Sequence, residues 1–180
     1  EVSKMKFEEL KKAISDDLRL SIEGSKGLAV YAKKSSKFEN WLQVEAAGVL
    51  SKSLSKKAIV PEAILNVNGK EIDVDLLVGD EWAIELKVIG DEEKKNYQET
   101  VRAIKQDIEK LKELKTITQG KKLNTAMACV IFPIEKEKTY IHENIMAEVL
   151  ETNEAAVVED RQFFYFHDNS LLGAIYVKEV

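Results

Sequence analysis

Acidic residues and one lysine alternate with apolar residues in "EIDVDLLVGDEWAIELKV", which spans residues 71–88. Several carboxylates and an ammonium group in so short a stretch could hold a divalent cation, because hard ions such as Mg²⁺ prefer oxygen ligands. The same composition could also serve only to keep an exposed hairpin soluble. The choice between these readings depends on whether the polar side chains point to the same side of a sheet.

Each of the two strands predicted here has a polar face and an apolar face, because successive side chains of a strand point to opposite sides. The polar faces consist of Glu71, Asp73 and Asp75 in the first strand and of Glu85 and Lys87 in the second. The apolar faces consist of Ile72, Val74, Leu76 and Val78 in the first strand and of Trp82, Ile84, Leu86 and Val88 in the second.

The loop between the two strands decides whether their polar faces coincide. With a two-residue loop Asp75 would face Ile84, and a carboxylate among core side chains costs several kcal/mol. A three-residue loop at residues 79–81 instead places Asp75 across from Glu85 on one side of the sheet. Two carboxylates that close repel each other unless a proton or a cation lies between them. The alternation therefore predicts the three-residue loop and a cation site between Asp75 and Glu85. The same register places Asp73 across from Lys87.

The helix predicted over residues 37–54 offers a further carboxylate. Its apolar stripe is centred on Phe38, Leu42 and Val49. Glu45 falls close to the middle of that stripe, where an ionised carboxylate is costly unless another group pairs with it. Glu39 lies at the edge of the stripe, where its charge suits the N-terminus of the helix. We therefore predict Glu45 as the third acid of the cluster, with Glu39 as the alternative.

The rest of the sequence predicts one mixed α/β domain over residues 1–180. Apolar spacing predicts helices over about residues 5–20, 37–54 (capped by Ser35 or Ser36), 92–115 and 141–152. Predicted strands are three within "AIVPEAILNVNGKEIDVDLLVGDEWAIELKVI", one in "NTAMACVIFPI" that is covered on both faces, and others in "AAVVED", "QFFYFH" and "LLGAIYVKEV".

The segment "DVDLLVGDEWAIELK" resembles the signature of the PD-(D/E)xK nuclease superfamily. In that pattern an Asp opens one strand, and Glu-x-Lys follows on the next strand of the same hairpin. Asp75, Glu85 and Lys87 match the motif, and Asp73 is a rival for its Asp. Val74 stands where the pattern usually has Pro, which is a departure that many members share.

The resemblance covers about residues 37–132 and implies a restriction-endonuclease-like core, with a central mixed sheet flanked by helices. It implies that Asp75 and Glu85, with Glu45 and Asp73 as further candidates, hold Mg²⁺, for which Mn²⁺ can substitute. Lys87 would position the attacking water or offset negative charge in the transition state. Resembling nucleases often add a polar side chain from the following helix, and the candidates here are Arg102, Lys105 and Gln106, although each is most simply a solvated residue.

The implied activity is Mg²⁺-dependent hydrolysis of DNA phosphodiester bonds, with an endonuclease as the expected form. The alternative is a catalytically weak or inactive domain of the same fold that binds nucleic acid or protein. The formal net charge of −5 argues against a stand-alone, tight, non-specific binder of duplex DNA. We therefore expect a homodimer or a larger nuclease complex to supply much of the contact with DNA.

The remaining composition predicts an intracellular, cytoplasmic protein with no membrane segment. No apolar run approaches the length of about 20 residues that spans a bilayer. The single cysteine, Cys129, cannot form an intramolecular disulfide and suits a reducing compartment. The two histidines have no partners at metal-ligand spacing, so a zinc site is not expected.

Overall fold

The computed structural model describes residues 4–34, 38–55, 57–115, 122–135, 139–151, 157, 160–167, 169 and 171–180. Before the first strand lie α1 (Phe7–Lys12), a π-helical segment (Ala13–Leu18), α2 (Arg19–Gly24), α3 (Lys26–Lys33) and α4 (Glu39–Ser53). Three strands follow, β1 (Ile59–Val67), β2 (Lys70–Val78) and β3 (Trp82–Ile89). After them come α5 (Asp91–Lys95), α6 (Tyr97–Lys115), β4 (Asn124–Ile131), α7 (Thr139–Val149), β5 (Arg161–Tyr165) and β6 (Leu172–Glu179).

The strands that the structure describes form one six-stranded sheet in the order β1-β2-β3-β4-β6-β5. β3 and β4 run parallel, and the other neighbouring strands run antiparallel. Side chains of α1 to α4 pack in one apolar cluster with the sheet, and side chains of α6 and α7 pack in another. The protein is therefore an α+β fold, and the predicted mixed sheet with flanking helices is confirmed.

Alternation along the central strands distributes apolar side chains between these two clusters. Trp82, Ile84, Leu86 and Val88 of β3 all belong to the cluster of α1 to α4, as predicted. The residues of β4 divide in the same way: Ala126, Ala128 and Val130 join that cluster, whereas Met127, Cys129 and Ile131 join the cluster of α6 and α7. The prediction that β4 is covered on both faces is confirmed.

The predicted single apolar face of β2 is wrong. Ile72 and Val74 pack with α6, whereas Leu76 and Val78 pack with the N-terminal helices. The change of side occurs beside Glu62 of β1, whose φ of 49° lies in the left-handed region that side chains normally avoid. A regular strand would keep all four residues on one side, so the alternation of β2 is broken at Asp75, which with Glu62 is missing from the ladder between β1 and β2.

The predicted helix over residues 92–115 is observed as two helices, α5 and α6, with Asn96 between them. The predicted helix over residues 141–152 corresponds to α7, and the last two predicted strands correspond to β5 and β6. Ser35, Ser36 and most of the predicted strand "AAVVED" lie outside the described residues. Within the described chain, every helix lacks the combination of length and apolarity that a bilayer crossing requires.

Gly173 provides a test of the packing between β5 and β6. A Cβ atom at this position would lie 2.5 Å from Cζ of Phe164, its pairing partner across the two strands. We expect Gly173→Ala to lower the free energy of unfolding by about 1–3 kcal/mol, because the buried ring has to shift. Urea denaturation of the variant and the wild-type protein measures the difference.

Gly48→Ala is the matched control, because a Cβ on this residue of α4 meets no heavy atom within 4 Å. Alanine is the better helix former, so this variant should be more stable than the wild-type protein by about 0.5–1 kcal/mol. Equal effects of the two substitutions would contradict the described packing of Phe164.

Candidate functional site

β2 and β3 pair only near their connecting loop and then separate. Both strands lie wholly in the described chain, and their pairs are Val78 with Trp82, Leu77 with Ala83 and Leu76 with Ile84. This register confirms the predicted three-residue loop. The predicted continuation, with Asp75 directly across from Glu85 in the ladder, is not observed, because the strands have already parted at that point.

Two carboxylates take the place of main-chain acceptors along the separated part of β3. Oδ2 of Asp75 accepts a hydrogen bond from the Leu86 amide at 2.7 Å, and Oε2 of Glu39 accepts one from the Val88 amide at 3.1 Å. Buried amide groups require such partners. The hydrogen-bonding edge of β3 is therefore satisfied by acidic side chains from β2 and α4, which concentrates negative charge in the gap between the strands.

Asp75 and Glu85 form the buried part of this acidic cluster. Gln43 of α4 donates a hydrogen bond to Oδ1 of Asp75 at 2.6 Å, and Glu85 is only 5% exposed. Burial, reinforced by the nearby charge of Asp75, raises the pKa of Glu85 to about 8. Burial also raises the pKa of Asp75, although the hydrogen bond from the Leu86 amide opposes the shift. The pair thus favours binding of a proton or another cation.

Lys110 of α6, which lies outside the motif and the predicted site, also approaches this pair. Its Nζ lies 2.7 Å from Oε1 of Glu85 and 3.9 Å from Oδ2 of Asp73. The contact with Glu85 is a short ion pair to an oxygen that is buried from solvent. The available signal was the position of Lys110 beside the buried stripe of α6, which contains Ile108 and Leu111.

Lys87, the lysine of the motif, is held by two other acids. Its Nζ lies 3.2 Å from Oδ2 of Asp107 on α6 and 3.9 Å from Oε1 of Glu39. Burial acts to lower the pKa of Lys87, but the charges of Glu39 and Asp107 outweigh it and the net pKa is raised. Lys87 is therefore a persistent positive charge at neutral pH.

The prediction of Glu45 as the helical acid of the cluster is wrong. Glu45 accepts a hydrogen bond from the Ser21 hydroxyl of α2 and faces the N-terminal helices. The buried residues of α4 are Leu42, Ala46 and Leu50, so the apolar stripe is turned relative to the one predicted. Glu45 lies at its half-buried border, and Glu39 is the acid of α4 that joins the cluster.

The structure brings Asp75, Glu85 and Lys87 into one neighbourhood and leaves Asp73 at its rim. The side chain of Asp73 is 85% exposed. Asp75 is therefore the better match to the first acid of the motif.

Two grooves adjoin the cluster. One, of about 910 Å³, lies between α3–α4 and α5–α6 and includes Lys87, Glu39 and Trp41 in its lining. The other, of about 730 Å³, lies between β2 and α6 and includes Asp73 and Lys110. Arg102, Lys105 and Gln106, the candidates from the resemblance, line this second groove.

The fit of a divalent cation rests on two carboxylates rather than on a larger ligand set. In the part of the chain that the structure describes, no group of three or more His, Cys, Asp or Glu side chains is arranged to hold a metal ion. Mg²⁺ commonly takes only one or two carboxylates and completes its coordination with water and substrate phosphate. Asp75 and Glu85 provide such a pair, and Oε1 of Glu85, which is buried, has the ammonium group of Lys110 beside it at 2.7 Å.

Comparison with known proteins gives no match. No family model, no curated protein and no solved structure was found to match the chain.

The raised pKa of Glu85 predicts that the protein loses stability as the pH rises. Between the ordinary pKa of 4.5 and the folded value of about 8, the folded state holds a proton that the unfolded chain releases. The stabilisation that this bound proton gives to the folded state is complete below pH 4.5 and is lost as the pH approaches 8. Because Gln mimics the protonated acid, Glu85→Gln should gain more than about 1 kcal/mol over the wild-type protein across this range.

Urea denaturation in the presence of EDTA, at several pH values within this range, measures the difference. Asp73→Asn is the control, because the Asp73 side chain is exposed. The difference in free energy of unfolding between this variant and the wild-type protein should stay constant over the same pH range. A pH-independent difference for Glu85→Gln would contradict the description of Glu85 as a buried acid under repulsion.

Proposed function

We propose that the protein is a divalent-metal-dependent nuclease that hydrolyses DNA phosphodiester bonds at a PD-(D/E)xK-type site. The observation that carries the proposal is the meeting of Asp75 and Glu85 where β2 and β3 separate, with Lys87 two residues further along β3. The arrangement agrees with a restriction-endonuclease-like core, in which these side chains project from one hairpin. An endonuclease is the form that we propose.

Asp75 and Glu85 are the residues that would hold Mg²⁺ or Mn²⁺. The bound ion supplies a Lewis acid that polarises the phosphate and lowers the pKa of a coordinated water molecule. Gln43 fixes the orientation of the Asp75 carboxylate through its hydrogen bond to Oδ1. This support keeps the side chain in the gap rather than in one of several solvent-exposed rotamers.

Lys87 serves as a fixed positive charge for the phosphate. Asp107 and Glu39 hold its ammonium group and raise its pKa, so it keeps its proton and does not act as a base. An ammonium group at this position stabilises negative charge that develops on the phosphoryl oxygens during hydrolysis. Glu39 and Asp107 are therefore positioning residues that act through Lys87.

The groove of about 910 Å³ is the surface that we propose for the nucleic acid, because Lys87 lies in its lining. The acidic net charge of −5 is unfavourable for a long duplex interface on a single copy of the chain. We therefore propose that a second copy or another subunit contributes part of the DNA contact.

Substitution of the three motif residues tests the proposal. We expect Asp75→Asn, Glu85→Gln and Lys87→Met each to reduce Mg²⁺-dependent cleavage of plasmid DNA by about 100-fold or more. The first two substitutions each remove a carboxylate that would hold the metal ion, and the third removes the positive charge that acts on the phosphate. Asn is preferred to Ala at position 75 because its carbonyl oxygen can still accept the hydrogen bond from the Leu86 amide. Gel quantification of nicked and linear products over time measures the rates.

Glu45→Gln is the matched control, since the structure removes this acid of α4 from the cluster. Cleavage by this variant should equal that of the wild-type protein, and circular dichroism should show all four variants folded. Folded wild-type protein that leaves DNA intact with Mg²⁺ and with Mn²⁺ would refute the nuclease proposal.

The alternative is an inactive domain of the same fold that binds nucleic acid or protein, and the ion pair between Lys110 and Glu85 favours it. A lysine that permanently balances the acidic pair would leave no need for a metal ion. In that case MgCl₂ should leave the melting temperature unchanged, and binding of DNA should survive the three substitutions. A rise in melting temperature with MgCl₂ would instead favour the nuclease.

A further inference from the structure

Lys110 contacts the most buried carboxylate of the cluster and is itself more exposed. Its Nζ is 2.7 Å from Oε1 of Glu85, and the exposed fraction is 23% for the Lys110 side chain but only 7% for that of Glu85. Lys87 does not share this contact, because its ammonium group is directed to Asp107 and Glu39. The positive charge beside Glu85 therefore comes from a helix outside the motif.

The contact has the features of an exchangeable counter-ion. Nζ of Lys110 contacts the buried Oε1 of Glu85 as an ion pair at 2.7 Å. The same ammonium group also lies 3.9 Å from both Asp73 and Asp107, so it is shared among three carboxylates rather than fixed by one. A lysine ammonium group is a compact charge on a flexible stem, and it can move to a new partner with little change in the backbone.

If the Lys110 ammonium group moves away from Glu85, the carboxylate of Asp73 is available to balance its charge. Asp73 stands at the rim of the groove of about 730 Å³, which Lys110 also lines, and the Asp73 side chain is largely solvated. A divalent cation between Asp75 and Glu85 would balance both carboxylates, whereas the single charge of Lys110 is closest to one of them. The two cations compete for the same carboxylate, so both cannot occupy that place at once.

We propose that Lys110 is an internal counter-ion that occupies the cation position beside Glu85 and is displaced when a divalent metal ion binds. This inference rests on the proposed metal site, but it concerns metal binding rather than cleavage. It accounts for the stability of the acidic pair before metal binding and makes the affinity for metal depend on a residue of α6.

Metal titration of lysine variants tests the inference. We expect Lys110→Met to bind Mg²⁺ and Mn²⁺ roughly tenfold more tightly than the wild-type protein, because the competing charge is gone. Isothermal titration calorimetry with MgCl₂ or MnCl₂ at about pH 9, above the raised pKa of Glu85, limits competition from protons. Lys110→Arg retains the competing charge and should not bind more tightly than wild type.

Lys105→Met is the matched control, because Lys105 is on the same helix and pairs with Glu148 at 3.8 Å instead of with the cluster. Its affinity for metal should equal that of the wild-type protein. Equal affinities of Lys110→Met and wild type would overturn the inference even if wild-type protein cleaves DNA. Tighter metal binding by Lys110→Met in a protein that leaves DNA intact would support the inference and refute only the nuclease proposal.

A second measurement follows the Lys110 ammonium group directly, by NMR of the wild-type protein during titration with metal. Reductive methylation with ¹³C-formaldehyde keeps the positive charge of lysines and makes each ammonium group visible by NMR. Addition of MgCl₂ should shift the Lys110 resonance toward that of a solvated lysine and leave Lys112 unchanged, with the assignment taken from Lys110→Arg. A Lys110 resonance that stays unchanged while Mg²⁺ binds, or the absence of any Mg²⁺ or Mn²⁺ binding, would overturn the inference.

Discussion

The hydrogen bond from the Leu86 amide to the Asp75 carboxylate is the interaction on which the rest of the cluster depends. It puts a side chain where a main-chain carbonyl of β2 would otherwise continue the ladder. The pairing of β2 and β3 ends at Leu76 and Ile84, immediately before this hydrogen bond. The separation leaves room for the Glu39 carboxylate to reach the Val88 amide, so that one opening collects acids from a strand and from a helix.

Charge balance follows from this arrangement. The carboxylates of the opening and its rim, namely Glu39, Asp73, Asp75, Glu85 and Asp107, outnumber the ammonium groups of Lys87 and Lys110. The pKa of Glu85 is raised to about 8 because burial and the adjacent Asp75 both disfavour a second negative charge. An excess of acid that the protein balances with protons and lysines is also the electrostatic condition under which a divalent cation binds well.

Alternation along the sequence was sufficient to predict the three-residue loop with the pairing of β2 and β3 beside it, and the apolar face of β3, because these are local consequences of a two-residue period. It did not show that the two strands stop pairing before Asp75 and Glu85. The division of β2 between two clusters was not predicted, since a period-two pattern does not show the break in pairing at Asp75 and Glu62. A helical projection of α4 favours Glu45 over Glu39, because it locates the apolar stripe. It does not show which helix or strand packs against each edge of that stripe. Lys110 was missed because its contact with Glu85 joins α6 to β3, and no short motif includes both. The PD-(D/E)xK assignment itself stays a prediction.

The most direct test of the central claim is a crystal soaked in MnCl₂ and measured at a wavelength where manganese scatters anomalously. The account predicts an anomalous peak between the carboxylates of Asp75 and Glu85, with Nζ of Lys110 moved away from Glu85. A fully soaked crystal without a peak at this position, in which Lys110 still contacts Glu85, would contradict it.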